Sequence, residues 1–143
     1  MKNSLLIAIA FAAMLLGATT QGWSAGLVAR VDISKQTMTV TRNGRVIHKW
    51  RVSTARPGYR TPRGTWSPKR LHRMWYSRKY DMSPMPYSVF YHGGYAIHGT
   101  NYVKSLGRPA SHGCIRLQTG NAARFYALVQ QAGRGNTRIT VVN

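Results

Sequence analysis

Alternation of apolar and polar residues dominates this chain, and only one stretch carries the periodicity of a helix. Residues 27–33 and 37–42 alternate as half-buried strands do. Asn43-Gly44 then separates residues 38–41 from 46–52, and both turn residues accept the positive φ angles of a type I′ hairpin. Tyr87, Val89 and Tyr91 alternate again, and Gly93-Gly94 turns the chain into 95–98, a second hairpin that delivers His98 at a strand end. Residues 137–142 read as a closing strand, and Asp32 is expected on an edge strand. Phe125, Leu128, Val129 and Ala132 fall at i, i+3, i+4 and i+7, which predicts a helix from about Asn121 to Ala132. Thr119 or Asn121 is expected to cap it, and Gly133 to occupy the left-handed position after its end. Residues 54–64, punctuated by Pro57, Gly58, Pro62 and Gly64, read as a loop, with Trp66 beyond it on a short strand. Poor periodicity and Pro68, Pro84 and Pro86 predict a long surface loop or flap over 67–86. The sum is a mostly β domain, a sandwich or barrel-like sheet with one helix in its C-terminal half.

Ahead of the strands, Lys2 precedes an almost wholly apolar run over residues 5–18, followed by small and polar residues. This is the layout of an export signal covering residues 1–25, which leaves 26–143 as one domain with one core. The run is shorter than the roughly 20 residues of a membrane span, and an uncleaved anchor is the competing reading. No cysteine directly follows the run to carry a lipid. The charge balance is extreme: 21 lysines and arginines against two acids, a formal net charge of +19, with twelve of the cations in residues 42–79. Such a surface suits an anionic polymer, and export points to the cell envelope rather than to nucleic acid. The two acids, Asp32 and Asp81, lie 49 positions apart. That scarcity argues against a glycosidase, which needs paired carboxyl groups, and no Gly-x-Ser-x-Gly elbow supports a serine hydrolase.

Ser111-His112-Gly113-Cys114-Ile115-Arg116 holds the one cysteine of the chain, with His112 two residues upstream and His98 16 residues upstream. A lone cysteine in an exported protein has no intrachain disulfide partner, so chemistry is the better reason for its presence. A free thiol of pKa about 8.5 is only about 3% thiolate at pH 7, so an imidazole must take its proton and leave a thiolate–imidazolium pair. Spacing alone does not rank the two histidines, because His112 and Cys114 could share a strand face. Gly113 frees the backbone N–H groups around the cysteine to face an oxyanion, and the planar fork of Arg116 suits a carboxylate. A metal site built from His92, His98, His112 and Cys114 matches no common zinc spacing.

Taken together, His98-Gly99-Thr100 followed by Ser111-His112-Gly113-Cys114-Ile115-Arg116 resembles the active-site signature of the YkuD-type L,D-transpeptidases. Thr61-Pro62-Arg63-Gly64-Thr65-Trp66, Met85-Pro86-Tyr87 and Gly93-Gly94-Tyr95-Ala96-Ile97-His98 are similar to that family's other segments, in the same order. The resemblance implies a bacterial cell-wall enzyme with a mostly β catalytic domain, acting on peptidoglycan tetrapeptide stems in the periplasm or envelope. It implies that Cys114 attacks the carbonyl of the third stem residue, expels D-alanine and passes the thioester to an amine. A neighbouring stem, water, a free D-amino acid or a lysine of an envelope protein are the acceptors it offers. It implies no metal or organic cofactor and no nucleic-acid partner, and leaves the oligomeric state open.

By the same resemblance His98 is the general base, and His112 orients or polarises. Gly113 and Cys114 supply oxyanion N–H groups, and Ser111, Arg116, Gly99 and Thr100 serve substrate binding. Arg116 either holds a stem carboxylate or braces the site, and Ser111 shapes the loop. Trp75, Tyr76 and Tyr80 either cover the donor stem or seal the core. Where the chain departs from larger relatives, the basic stretch 42–79 is expected to attract stem carboxylates in place of a separate wall-binding domain. His48, His72 and His92 are read as structural or surface residues. Two alternatives stay open here: an L,D-carboxypeptidase or amidase using the same cysteine with water, and a non-catalytic basic module that binds envelope polymer.

Overall fold

A computed structural model describes residues 25–143, so the leader-like segment lies outside the described residues. The described elements run β1 (Leu27–Asp32), β2 (Thr37–Arg42), β3 (Arg45–Arg51), β4 (Gly64–Trp66), β5 (Arg70–Ser77), β6 (Ser83–His92), β7 (Tyr95–Thr100), β8 (Ile115–Gln118), α1 (Thr119–Ala132) and β9 (Thr137–Val142). They form two sheets, one ordered β3-β2-β1-β9-β4 and the other β5-β6-β7-β8. The pairs β1–β9 and β7–β8 are parallel and the rest antiparallel.

The strand alternation sets the core. Leu27, Ala29 and Val31 of β1, Met38 and Val40 of β2, and Ile139 and Val141 of β9 face Val89, Tyr91, Ile97, Ile115 and Leu117 of the second sheet. Ala122, Phe125 and Val129 of α1 complete this layer; of the expected stripe, Phe125 and Val129 are buried, while Leu128 and Ala132 are only partly buried against it. Each Val, Leu, Ile, Met or Phe side chain among them contributes about 1.5–3 kcal/mol by leaving water. Asn43 and Gly44 take φ of 49° and 79°, as the type I′ turn requires.

Three expectations are corrected. β1 is central, between β2 and β9, so Asp32 ends an interior strand. Its carboxylate accepts hydrogen bonds from Ser34 Oγ (2.7 Å) and Lys35 N (3.0 Å) and so closes the turn into β2. Those two bonds hold its pKa below the ordinary carboxylate value. The helix starts at Thr119, earlier than expected, with Gln118 before it and no side-chain cap, while Thr119 Oγ1 donates to Thr100 O (3.4 Å) instead. Gly133 ends it with φ 88° and an N–H bonded to Val129 O.

The third correction concerns the expected flap over 67–86, much of which is regular. β5 and β6 pair from Arg70↔Phe90 to Ser77↔Ser83 around a 3-10 turn at Arg78–Tyr80. Pro84 and Pro86 made this stretch look irregular. They sit opposite Tyr76 and Met74, at alternate positions, and pairing with β7 begins only at Val89. Both ring nitrogens can therefore face the unpaired side of β6, where no N–H is needed. On the outer face of this sheet Met85, Phe90 and Ala96 form a second apolar cluster, against which Trp75 and Cys114 pack.

Candidate active site

Strand register, rather than sequence spacing, brings the candidate residues together. Ile97 pairs with Ile115 and His98 with Arg116 in the parallel β7–β8 ladder. One step earlier, the same register sets Cys114 beside Ala96. Ile97, Ile115 and Leu117 point into the core, so Ala96, His98, Cys114 and Arg116 share the outer face. His98 is then the diagonal neighbour of Cys114, a spacing of about 7–8 Å between backbones that long side chains close.

His98 is only 6% exposed, and its Nδ1–H donates to Gly99 O at 2.7 Å. A carbonyl can only accept, so the lone pair lies on Nε2. Burial pulls the His98 pKa down to about 4; the Gly99 bond opposes this and the nearby Arg116 charge assists it. Gly99 permits the close packing here, since a Cβ would lie 2.9 Å from Thr119 Cα and 3.1 Å from Pro86 Cγ.

Cys114 Sγ lies 3.9 Å from Gly94 O. Burial of the thiol pushes its pKa up, against the opposing influence of the Ala96 N–H and Arg116. Burial thus works against both the thiolate and the imidazolium, the two forms that proton transfer from Cys114 to an imidazole would produce.

The segment before the cysteine is tied down by hydroxyls. Ser111 is fully buried; its Oγ donates to Cys114 O (2.6 Å) and accepts from Gly113 N (3.0 Å). Thr61 Oγ1 donates to Gly113 O (2.9 Å) and accepts from Ala55 N (3.0 Å). Gly113 has φ 131°, and a Cβ would meet Tyr95 Cε1 at 2.6 Å and Arg60 O at 2.8 Å, so no larger residue fits without movement. Of the two N–H groups expected to face an oxyanion, that of Gly113 is held by Ser111 Oγ. The Cys114 N–H is the uncommitted donor of the pair among the described residues.

His112 lies in the bend ahead of β8, so it does not share a strand face with Cys114. Its Nε2 accepts from an Arg56 guanidinium N–H at 2.9 Å, because a guanidinium can only donate. Tyr80, from the 3-10 turn between β5 and β6, stacks on the ring at 4.0 Å and 9°, and Tyr59 meets its edge at 4.8 Å. Partial burial, then Arg56, Arg116 and Lys79, hold the His112 pKa down. Sequence reading missed Arg56 and Tyr59, which lie in a loop marked only by Pro and Gly. Tyr80 was legible only as one aromatic of a flap.

Arg116 is half-buried, with Nη1 donating to Ala110 O (3.3 Å) and its guanidinium 6.0 Å above the Tyr102 ring. Thr100 Oγ1 accepts from Tyr102 N (3.1 Å), a local turn contact. His48 stacks on Trp50, His92 on Trp66, and His72 packs on Trp75 and Phe90. Among the described residues no three His, Cys, Asp or Glu side chains gather closely enough to share a metal ion.

A two-sheet β domain with this His-Gly-Thr strand and Ser-His-Gly-Cys bend matches the family profile described as YkuD, the L,D-transpeptidase catalytic domain, over residues 27–141. The chain belongs to that family. It is similar in structure to an L,D-transpeptidase from Mycobacterium smegmatis, with TM-score 0.74 and 26% identity over 83% of this chain and 59% of that one. It is also similar to LD transpeptidase LdtMt1 solved in complex with imipenem (0.72, 28%, 82% and 59%). A third match is the L,D-transpeptidase of Stackebrandtia nassauensis (0.72, 25%, 90% and 62%). The chain thus spans about 60% of the length of these relatives. No curated protein matches it significantly in sequence.

Proposed function

We propose that this protein is a cysteine-dependent L,D-transpeptidase of the cell envelope that acts on peptidoglycan tetrapeptide stems through a thioester. The single observation carrying this reading is the His98 Nδ1–H bond to Gly99 O, which leaves Nε2 as a proton acceptor on the face occupied by Cys114. In the first half-reaction Cys114 Sγ bonds to the carbonyl carbon of the third stem residue as its proton passes to His98 Nε2. The Cys114 N–H faces the developing oxyanion, and the intermediate collapses with cleavage of the C–N bond. His98 returns the proton to the departing D-alanine amine. In the second half-reaction an amine attacks the thioester, His98 takes its proton, and the thiol is restored as the new amide forms.

Burial disfavours the charged form of both the thiol and the imidazole, so in this reading the proton passes from Cys114 to His98 as substrate attack begins. Ser111 and Thr61 hold the backbone that aims the oxyanion donor, and Arg56 fixes His112 as an Nδ1–H donor. The imipenem complex of a relative supports the further reading that a carbapenem acylates Cys114.

Intact-mass measurement of the protein with a synthetic tetrapeptide stem tests the proposal. Cys114 should gain the tripeptidyl acyl group with release of D-alanine, and Cys114→Ala should gain nothing while remaining folded. His98→Gln should lose more acylation than His112→Gln. Product analysis with an added stem amine should give a cross-link between third residues, whereas free tripeptide alone would assign hydrolysis. Acylation of the Cys114→Ala variant would sink the mechanism.

A further inference from the structure

We propose that Arg56, Arg116 and Lys79 form a cationic rim at the active site that selects peptides carrying free carboxylates over the same peptides with carboxamides. This inference rests on the stem-peptide reading above and names the substrate chemistry that the site prefers.

The three cations come from separate elements and converge on one imidazole. Arg56, in the loop after β3, holds His112 Nε2 at 2.9 Å, and its guanidinium lies 5.0 Å over the Tyr59 ring. Arg116 follows Cys114 by two residues on the same sheet face and commits one N–H group to Ala110 O. Lys79 sits at the β5–β6 tip with Nζ 5.5 Å from the Tyr80 ring, which itself stacks on His112. All three depress the basicity of His112, a sign that their fields overlap there.

Among the described residues no carboxylate forms an ion pair with them. The one ion pair among the described residues is Arg30–Asp32 at 3.8 Å, in β1. Asp81 follows the β5–β6 tip and forms no ion pair there. Like charges gathered without a counter-charge oppose one another, and half-burial of Arg116 removes part of its hydration. An anionic ligand relieves both costs. Two arginine forks match planar carboxylates, each with several N–H donors still free. A carboxamide keeps the shape but loses the charge, and its NH2 group meets those donors as another donor. The cations meet around His112, two residues before the reacting cysteine, and Arg116 also acts on the thiol, so the ligand they fit presents its carboxylates on the His112 side of the scissile amide.

The test compares two synthetic tetrapeptide stems, identical except that one carries free side carboxyl groups and the other carboxamides. Kcat/KM is measured with the full chain, and affinity with the Cys114→Ala variant by calorimetry. The free-acid stem should be preferred at least tenfold in both. Arg56→Gln and Lys79→Gln, both at exposed positions, should collapse that ratio several-fold, and Arg56→Lys should restore most of it. Raising salt should narrow the preference. Equal use of the two stems overturns the rim alone, and so does a preference that survives both Gln variants. Absence of turnover and of binding for either stem overturns the rim and the stem-peptide function together.

Discussion

Ser111→Ala is the sharpest probe of how the cysteine is held. The side chain is fully buried, and its one oxygen serves two backbone groups, accepting from Gly113 N at 3.0 Å and donating to Cys114 O at 2.6 Å. Alanine removes the oxygen but leaves both groups in place, so neither regains water. An unsatisfied buried donor or acceptor costs about 1–3 kcal/mol, with the carbonyl at the lower end because it has a second lone pair. The sum is about 2–4 kcal/mol, and for a domain of this size the melting temperature should fall on the order of 10 °C. The backbone that carries the oxyanion donor also loses its brace. Acylation should slow by about tenfold to a hundredfold, the range expected when a reacting group shifts by an ångström. Urea denaturation followed by circular dichroism gives the first quantity, and single-turnover acylation followed by intact mass gives the second. Stability within about 0.5 kcal/mol of the parent, with unchanged acylation, would refute the reasoning, because that is how a surface serine behaves.

Other perturbations test separate parts of the structure. His98 takes a proton at about 4 in the fold and near 6.5 when unfolded, so between those values the unfolded chain holds more protons. Stability should fall by about 3 kcal/mol as pH drops from 6.5 toward 4, seen in denaturant midpoints across a pH series. The slope should flatten in His98→Gln, and an unchanged slope there would assign it elsewhere. Tyr91 Oη is the buried side-chain polar atom without a partner among the described residues. Tyr91→Phe should accordingly leave stability equal or raise it by about 1 kcal/mol in thermal melts, and a clear loss would mean that the hydroxyl is bonded. Gly113→Ala should destabilise by about 2 kcal/mol or more in the same melts, since both its φ and the Arg60 carbonyl oppose a Cβ.

Much of the fold could be read from alternation because the buried face of each long strand is nearly continuous. Leu27, Ala29 and Val31 announce β1, and residues 137–142 match β9 end for end. The β5–β6 hairpin escaped because two of its prolines stand where β6 has a neighbour on one side only, a tertiary fact that local propensity cannot contain. The placement of β1 inside its sheet escaped for a related reason. Its parallel partner β9 lies over a hundred positions away in sequence, and alternation carries no record of which strands pair. At the site, Cys114, His98 and Arg116 were legible as residue types. Their shared face became visible only through the β7–β8 register. The hold of Arg56 on His112 had no local signal at all, since it is one of 21 basic residues. The upward shift of the thiol and the downward shift of the imidazole could not be read either, because both follow from burial.

The parallel pairing of β1 with β9 has a consequence for how the molecule acquires its shape. The centre of the first sheet joins the opening and closing strands of the domain, and β4 attaches only through β9. Until residues 137–142 arrive, β1 lacks one neighbour and β4 lacks its only one among the described strands. Early hairpins such as β2–β3 can form within microseconds, yet assembly must wait for the most distant contact in the sequence. Refolding should therefore be a slow, single cooperative event governed by chain closure.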